Sequence, residues 1–217
     1  MRGLLIKDIL LMKNQMRIFL FYIFLSVGMF LADFNPVFVI NYATLIFCMF
    51  SISTISYDEF DNGYAFLFTL PVTREQYTAE KYVFGILTGG LAWLVVNIIA
   101  VIMNVVRGRA DAWEIVVTSL LFLILSFLFL SVMIPVQLKF GQEKGRTALF
   151  IIIGVIFAIG FLAVRSAKIF QVDLSAAARR LNTLQLGPVT AILLLCGVAV
   201  IIVSYLVSVR IIRKKQF

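Results

Sequence analysis

The carboxylates of Asp58, Glu59 and Asp61 are the side chains whose type and spacing come closest to acid–base chemistry. Exposed carboxylates this close together are more often solvated charges or docking contacts than a catalytic pair, which needs a positioned substrate proton. The sequence has no histidine, and it lacks the G-x-x-x-x-G-K-[ST], G-x-S-x-G and H-E-x-x-H motifs. We therefore predict that this chain is not an enzyme and holds no metal and no cofactor of its own.

The composition of the chain is that of a membrane protein, and these carboxylates lie outside its predicted spans. Hydrophobic residues make up 62% of the chain and charged residues 14%, whereas a soluble domain is roughly half apolar. All 19 basic and 11 acidic residues fall outside six uncharged blocks. A bilayer core needs roughly 20 helical residues, and a charge at its centre costs at least about 2.5 kcal/mol. The predicted spans are residues 18–32, 36–56, 82–106, 115–138, 147–164 and 188–209.

These blocks predict an all-α integral membrane protein with six transmembrane helices in a single transmembrane domain, residues 1–217. Residues 2–16 alternate apolar and charged positions, the pattern of an amphipathic helix in the membrane interface. A charged extension of the first span fits that pattern equally well. We expect residues 165–187 to form an external re-entrant or interfacial segment. The helix at 2–16 sets Leu4, Leu5, Ile9 and Met12 against Arg2, Lys7, Asp8 and Lys13.

The distribution of basic residues predicts the orientation. With a cytoplasmic N-terminus, 13 of the 19 Lys and Arg residues face the cytoplasm, as the positive-inside rule requires. The prediction is a multi-pass protein of the bacterial plasma membrane with both termini inside the cell. The net charge of +8 is then explained by topology and contact with the lipid bilayer, and nucleic acid is excluded as a partner.

The longest predicted cytoplasmic connection, residues 57–81, departs from that trend. It contains five acidic and two basic residues, so topology alone does not explain its charge. Thr73 and Gln76 form a capping-box signature just after Pro71, which predicts a short helix, a break and a new helix that enters the third span. Acidic side chains on such a segment favour docking to basic groups of a partner protein.

A mildly polar stripe runs along the second span. Asn41, Thr44, Cys48 and Ser51 recur at helical spacing, and either a pathway lining or ordinary helix–helix packing would explain them. The spans contain no Asp, Glu, Lys or Arg, which disfavours transport coupled to protons or ions.

The entry helix, the six spans and the pattern D-E-F-D-N-G-Y…L-P-V-T-R…E-K resemble the permease subunits of type-two ATP-binding-cassette (ABC) exporters. The similarity is closest to the bacterial phenol-soluble modulin exporter permeases, and the matching positions are Glu59, Gly63, Leu70, Pro71, Arg74 and Lys81. The resemblance implies that residues 57–81 carry a cytoplasmic coupling helix that docks on a separate ATPase subunit, which binds ATP and Mg. The implied docking residues are Asp58, Glu59, Asp61, Gly63, Tyr64, Leu70, Pro71, Arg74 and Lys81.

The resemblance also implies a pair of permeases, from a second copy or a paralogue, with the translocation path along their interface. The second span faces that path in the family, which would assign Asn41, Thr44, Cys48 and Ser51 to it. The expected function is export of amphipathic or hydrophobic substrates, such as cytotoxic or antimicrobial peptides. The alternative is a membrane scaffold or immunity-type protein that transports nothing and binds a partner through the same segment.

Overall fold

The computed structural model describes residues 2–60, 63–108, 112–169 and 186–215, and this part of the chain contains helices and no strand. Asp61 and most of the predicted external segment, residues 170–185, lie outside the described residues. The helices are α1 (Arg2–Asn14), α2 (Met16–Leu31), α3 (Pro36–Glu59), α4 (Gly63–Leu67), α5 (Arg74–Val106), α6 (Ala112–Ile169) and α7 (Leu186–Lys214).

The apolar helices confirm a membrane-spanning all-α protein. Four are long and apolar enough to cross a bilayer, and the bent pair of α1 and α2 makes a fifth if it is counted as one span. Residues 147–164, the fifth predicted span, belong to the helical backbone of α6. The total of six spans remains a prediction. The four helices are Pro36–Glu59, Arg74–Val106, Trp113–Gly141 and Leu193–Lys214.

The first helix is separate from the helix that follows it. α1 and α2 meet at a bend of 65°, so α1 is not a straight extension of α2. Ile6, Ile9 and Leu10 of α1 are about half exposed, which suits a helix that lies against lipid headgroups. The expectation that Asp8 belongs to the polar face of α1 is wrong, because Asp8 is fully buried against α5.

α6 changes direction at Gly141. This residue has φ 72° and ψ −174°, a backbone conformation that glycine adopts without a Cβ clash. A Cβ on Gly145 would lie 2.7 Å from Gln137 Oε1, whereas eight residues of continuous helix cover about 12 Å. The chain therefore folds back here. The sequence predicted a turn across residues 139–146, and the structure limits the non-helical backbone within α6 to Gly141.

Residues 57–81 contain the predicted break between two helices. α3 continues to Glu59, α4 follows as one short turn, and α5 begins at Arg74. Thr73 Oγ1 accepts a hydrogen bond from the Gln76 amide at 3.1 Å, and Gln76 Oε1 accepts one from the Thr73 amide at 3.3 Å. This reciprocal pair satisfies backbone donors at the start of α5 and confirms the predicted capping box.

α3 packs between α5 and α6 through small residues. A Cβ on Gly85 would lie 2.5 Å from Leu130 Cδ1, and one on Gly89 would overlap Cys48 Sγ. Without a hydrophobic driving force between helices in lipid, such close backbone approach provides much of the packing energy. Gly85 and Gly89 are therefore the points that set the spacing of α3, α5 and α6.

We predict that Gly89→Ala destabilises the protein by about 1–3 kcal/mol, because the added methyl group overpacks the contact with Cys48. The neighbouring Gly90 is the matched control, since a Cβ there meets nothing within 4 Å. Gly90→Ala should be neutral or stabilising by up to about 1 kcal/mol through helix propensity. Unfolding of the purified protein in detergent, followed by circular dichroism, measures both. Equal melting temperatures for the two variants would contradict the proposed contact.

Candidate functional site

The last residue of the segment 57–81 is a buried lysine. Lys81 is 0% exposed, and its Nζ lies 2.5 Å from Asp8 Oδ2 and 2.8 Å from Asp58 Oδ2. The same ammonium donates a hydrogen bond to Thr54 Oγ1 at 3.0 Å. Three oxygens thus match the three donors of the ammonium group. Because they come from α1 and α3 while Lys81 belongs to α5, one side chain joins three helices.

Asp58 has two further partners. Lys7 forms an ion pair with Asp58 Oδ1, and the Tyr77 hydroxyl donates a hydrogen bond to Asp58 Oδ2 at 3.1 Å. Removing charges from water costs several kcal/mol per ion unless the pairing and hydrogen bonds are good. Asp58 meets that condition, because every partner that approaches its carboxylate is a cation or a donor.

Glu80 adds a third buried carboxylate to this ion cluster, which we define as Lys7, Asp8, Asp58, Glu80 and Lys81. Glu80 is 0% exposed, its Oε2 lies 3.5 Å from Lys81 Nζ, and neither of its oxygens accepts a hydrogen bond in the described structure. The ammonium of Lys81 occupies the position between carboxylates that a metal ion would need. No group of His, Cys, Asp and Glu among the described residues forms a metal site.

The short helix α4 is held over this cluster by close backbone packing and aromatic contacts. A Cβ on Gly63 would lie 2.6 Å from the Asp58 carbonyl oxygen, so this position requires glycine. The Tyr64 ring packs edge-on against Tyr77 at 5.8 Å and stacks on Phe68 at 6.3 Å. Burial raises the pKa of the Tyr64 hydroxyl well above its ordinary value, so the phenol stays neutral.

Arg74 and its neighbour join the start of α5 to the end of α7. The Arg74 guanidinium donates to the carbonyl oxygens of Ile212 at 3.0 Å and Arg213 at 2.6 Å. The last carbonyls of a helix have no partner within the helix, and a cation there also complements the helix dipole. Glu75 forms an ion pair with Arg213.

Glu59 forms a second connection to the end of α7. Its Oε1 lies 3.4 Å from Lys215 Nζ, and its carboxylate packs directly against Gly141. A Cβ at Gly141 would lie 2.8 Å from Glu59 Oε2, so glycine is needed there for space as well as for its φ. The end of α3 is thereby connected to the bend of α6 and to the end of α7.

Exposed apolar side chains remain on residues 57–81, and we define Phe66, Leu70 and Pro71 as the apolar edge. Phe66 is 71% exposed and Leu70 is 46% exposed, and Pro71 beside them is also exposed. The turn is held by hydrogen bonds from the Thr69 amide to the Phe66 carbonyl at 3.1 Å and from the Leu70 amide to the Leu67 carbonyl at 3.4 Å. An exposed apolar patch of this kind, outside the predicted spans, is typical of a protein interaction site.

The described members of the predicted docking set therefore divide into three groups. Asp58, Tyr64 and Lys81 face inward, and Gly63 lies against the backbone of Asp58. Leu70 and Pro71 lie on the apolar edge. Glu59 and Arg74 are partly exposed and bind α7. The inward group holds the segment against the helix bundle. The docking role of these residues stays a prediction.

The predicted path residues also divide. Thr44, Cys48 and Ser51 are 0% exposed, and Cys48 and Ser51 contact α5, with Ser51 donating to the Lys81 carbonyl oxygen at 3.2 Å. Their burial supports the packing alternative and leaves them off the surface of the described protein. Asn41 lines a cavity at the other end of the bundle.

Sequence reasoning missed Asp8, Thr54, Tyr77 and Glu80 in this site. A usable signal was the spacing of Tyr77 and Lys81, which places both on one face of α5. No sequence signal pointed to Asp8, because its partner Lys81 is 73 residues away.

We predict that Lys81→Met lowers the free energy of unfolding by about 3–5 kcal/mol, because it leaves two buried carboxylates without their shared cation. Lys139→Met is the matched control, since Lys139 is exposed, and should change stability by less than about 0.5 kcal/mol. Denaturant or thermal unfolding in detergent gives the comparison. Similar losses in both variants would mean that the ion cluster does not hold the three helices together.

Comparison with known proteins agrees with this architecture. A family model described as ABC-2 family transporter protein matches residues 3–213. No curated protein and no solved structure matches the chain. Members of this family are membrane subunits without catalytic activity of their own, and they work with an ATPase subunit. The chain belongs to the ABC-2 family of transporter proteins and is a multi-pass permease subunit of an ABC transporter.

Proposed function

We propose that this permease exports amphipathic or hydrophobic substrates, with cytotoxic or antimicrobial peptides such as phenol-soluble modulins as the model class. ATP and Mg would be bound by the separate ATPase subunit, which docks on residues 57–81 from the cytoplasm. The observation that carries the proposal is the combination of an exposed apolar edge with a rigid support beneath it. We further propose that two permeases, identical or paralogous, pair in the membrane.

Docking would begin at the apolar edge of Phe66, Leu70 and Pro71. A coupling helix has to fit a groove on its partner, and exposed aromatic and aliphatic side chains supply the contact area for such a fit. Glu75 lies nearby in sequence with a side chain that is 50% exposed, so a basic group at the rim of the groove would be complementary. In this proposal the docking contact is made by the apolar edge on and just after α4, and not by the buried carboxylate of Asp58.

Transmission would follow from the connections of the segment. Lys81 joins α1, α3 and α5, while Arg74 and Glu59 join the segment to α7 and to the bend of α6. A displacement of α4 by the ATPase would be resisted by the ion cluster, because separating Lys81 from Asp8 and Asp58 leaves buried ions without partners. The motion would therefore pass to the spans as rigid bodies, as coupling requires.

The substrate class follows from the character of the predicted spans. They contain no ionisable Asp, Glu, Lys or Arg, so a path between two copies would be weakly polar. Such a path disfavours small hydrophilic solutes and accepts amphipathic or lipid-like molecules, whose apolar surface needs no polar partner.

The decisive experiment is co-expression with the ATPase subunit encoded in the same operon, followed by affinity purification through the permease and measurement of ATP hydrolysis in nanodiscs. We expect a stable complex, and we expect Phe66→Asp combined with Leu70→Asp to reduce ATPase recovery at least about tenfold, because charges replace the apolar contact. The melting temperature of the isolated permease should be unchanged, since both side chains are exposed.

Phe34→Asp is the matched control. Phe34 is 50% exposed in the hairpin between α2 and α3, at the opposite end of the bundle, and its substitution should leave the complex intact. A permease that purifies alone under all conditions would overturn the exporter proposal and favour the scaffold or immunity-type protein. Equal recovery with the double variant would overturn the apolar edge as the docking contact.

A further inference from the structure

A large cavity lies at the end of the bundle opposite residues 57–81. It is formed where α3 begins, α5 ends and α6 begins, and it has a volume of about 980 Å³. That volume is at the upper end of the range for pockets that hold drug-sized ligands. The ion cluster lies at the other end of α3 and α5, so the cavity is a separate site.

One polar group in the wall of the cavity is a buried acceptor that lacks a donor. Asn41 lines it, and the buried Asn41 Oδ1 has no hydrogen-bond donor in the described structure. Asn104 contributes a second amide and is only 5% exposed. Glu114 contributes a carboxylate, and no ion pair of the described residues involves it. A buried acceptor without a donor is unfavourable, and a ligand with N–H groups would satisfy it.

Among the described residues that line the cavity, Glu114 is the one charged side chain. No lysine or arginine is among the described residues that line it. Arg107, at the same end of α5, is engaged at 2.6 Å with both Asp33 Oδ1 and the Phe30 carbonyl oxygen. Within the described lining, the carboxylate of Glu114 favours a cation over an anionic head group.

The rest of the wall is apolar and aromatic. The rings of Phe38 and Tyr42 stack at 6.4 Å with an angle of 15° between their planes. Leu45 and Phe122 extend the wall along α3 and α6. A hydrocarbon chain buried against this wall would remove its apolar surface from water, which favours binding.

We propose that this cavity is a binding site for an amphiphile with a protonated primary amine. The ammonium group forms an ion pair with Glu114 and donates hydrogen bonds to the side-chain oxygens of Asn41 and Asn104, while the hydrocarbon chain lies along Leu45 and Phe122. The same ammonium chemistry occurs on soluble alkylamines and on aminophospholipid head groups. The site goes beyond the proposed ATPase docking and does not depend on it, because no residue of segment 57–81 lines the cavity.

The test is equilibrium dialysis of dodecylammonium against the full-length protein in phosphatidylcholine nanodiscs, with binding to empty nanodiscs subtracted. We expect one saturable site per chain. Glu114→Gln should weaken binding about tenfold or more, the usual size of a charge-assisted hydrogen bond. Glu114 is exposed, so this variant should fold normally, and Asn41→Leu should also weaken binding by removing the buried acceptor.

Four comparisons test the specificity of the site. Glu75→Gln, an exposed carboxylate at the other end of the bundle, should bind as tightly as the unaltered protein. Dodecyl sulfate should show no saturable binding, and dodecyltrimethylammonium, which has no N–H group, should bind more weakly than dodecylammonium. If phosphatidylethanolamine in the nanodisc displaces dodecylammonium, the occupant is the lipid head group, and if it does not, the occupant is a free amphiphile.

The proposal is overturned if binding is only the unsaturable partition seen with empty nanodiscs, or if Glu114→Gln binds as well as the unaltered protein. It is also overturned if the trimethylated cation binds as tightly as the primary amine. Loss of the ATPase complex in the docking experiment, with dodecylammonium binding retained, would refute the exporter proposal and leave this site standing.

Discussion

The structure depends on a charge that water does not reach. Lys81 is buried completely, and it remains compatible with folding only while Asp8, Asp58 and Thr54 stay within hydrogen-bond distance. Because these partners belong to α1 and α3, their positions are fixed together with the start of α5. Packing of apolar side chains tolerates small shifts, but a pair of buried ions does not. The geometry of the whole end of the bundle follows from this constraint.

The two ends of the bundle differ in how their polar groups are paired. At one end, charges are paired among helices and an apolar edge is left outside, where a partner subunit can reach it. At the other end, the Glu114 carboxylate and the Asn41 amide line a cavity, and the Asn41 oxygen lacks a donor in the described structure. Between them, α3 and α5 approach closely at Gly85 and Gly89, so the middle offers little room for either function. A permease that takes its energy from another chain needs this separation of a mechanical end from a binding end.

The location of the main spans was predictable because a charge in lipid is expensive, so the charge-free blocks mark them. The capping box of Thr73 and Gln76 was predictable because it is local. The ion cluster was not, since a carboxylate such as Asp58 looks the same in sequence whether it is solvated or paired with a lysine 23 residues away. The stripe of Thr44, Cys48 and Ser51 was ambiguous for a related reason. Helical spacing shows that these residues share a face but does not show what covers it.

The connection between Arg74 and the end of α7 has a consequence for how the protein is made. The guanidinium and the Ile212 carbonyl oxygen that it binds are 138 residues apart. During synthesis, α5 is in place long before α7 has been translated, so Arg74 lacks its partners on α7 until then. Loop closure over that length is slow compared with the formation of local helices. The contacts that hold the start of α5 to the end of α7 therefore form only after α7 has been inserted.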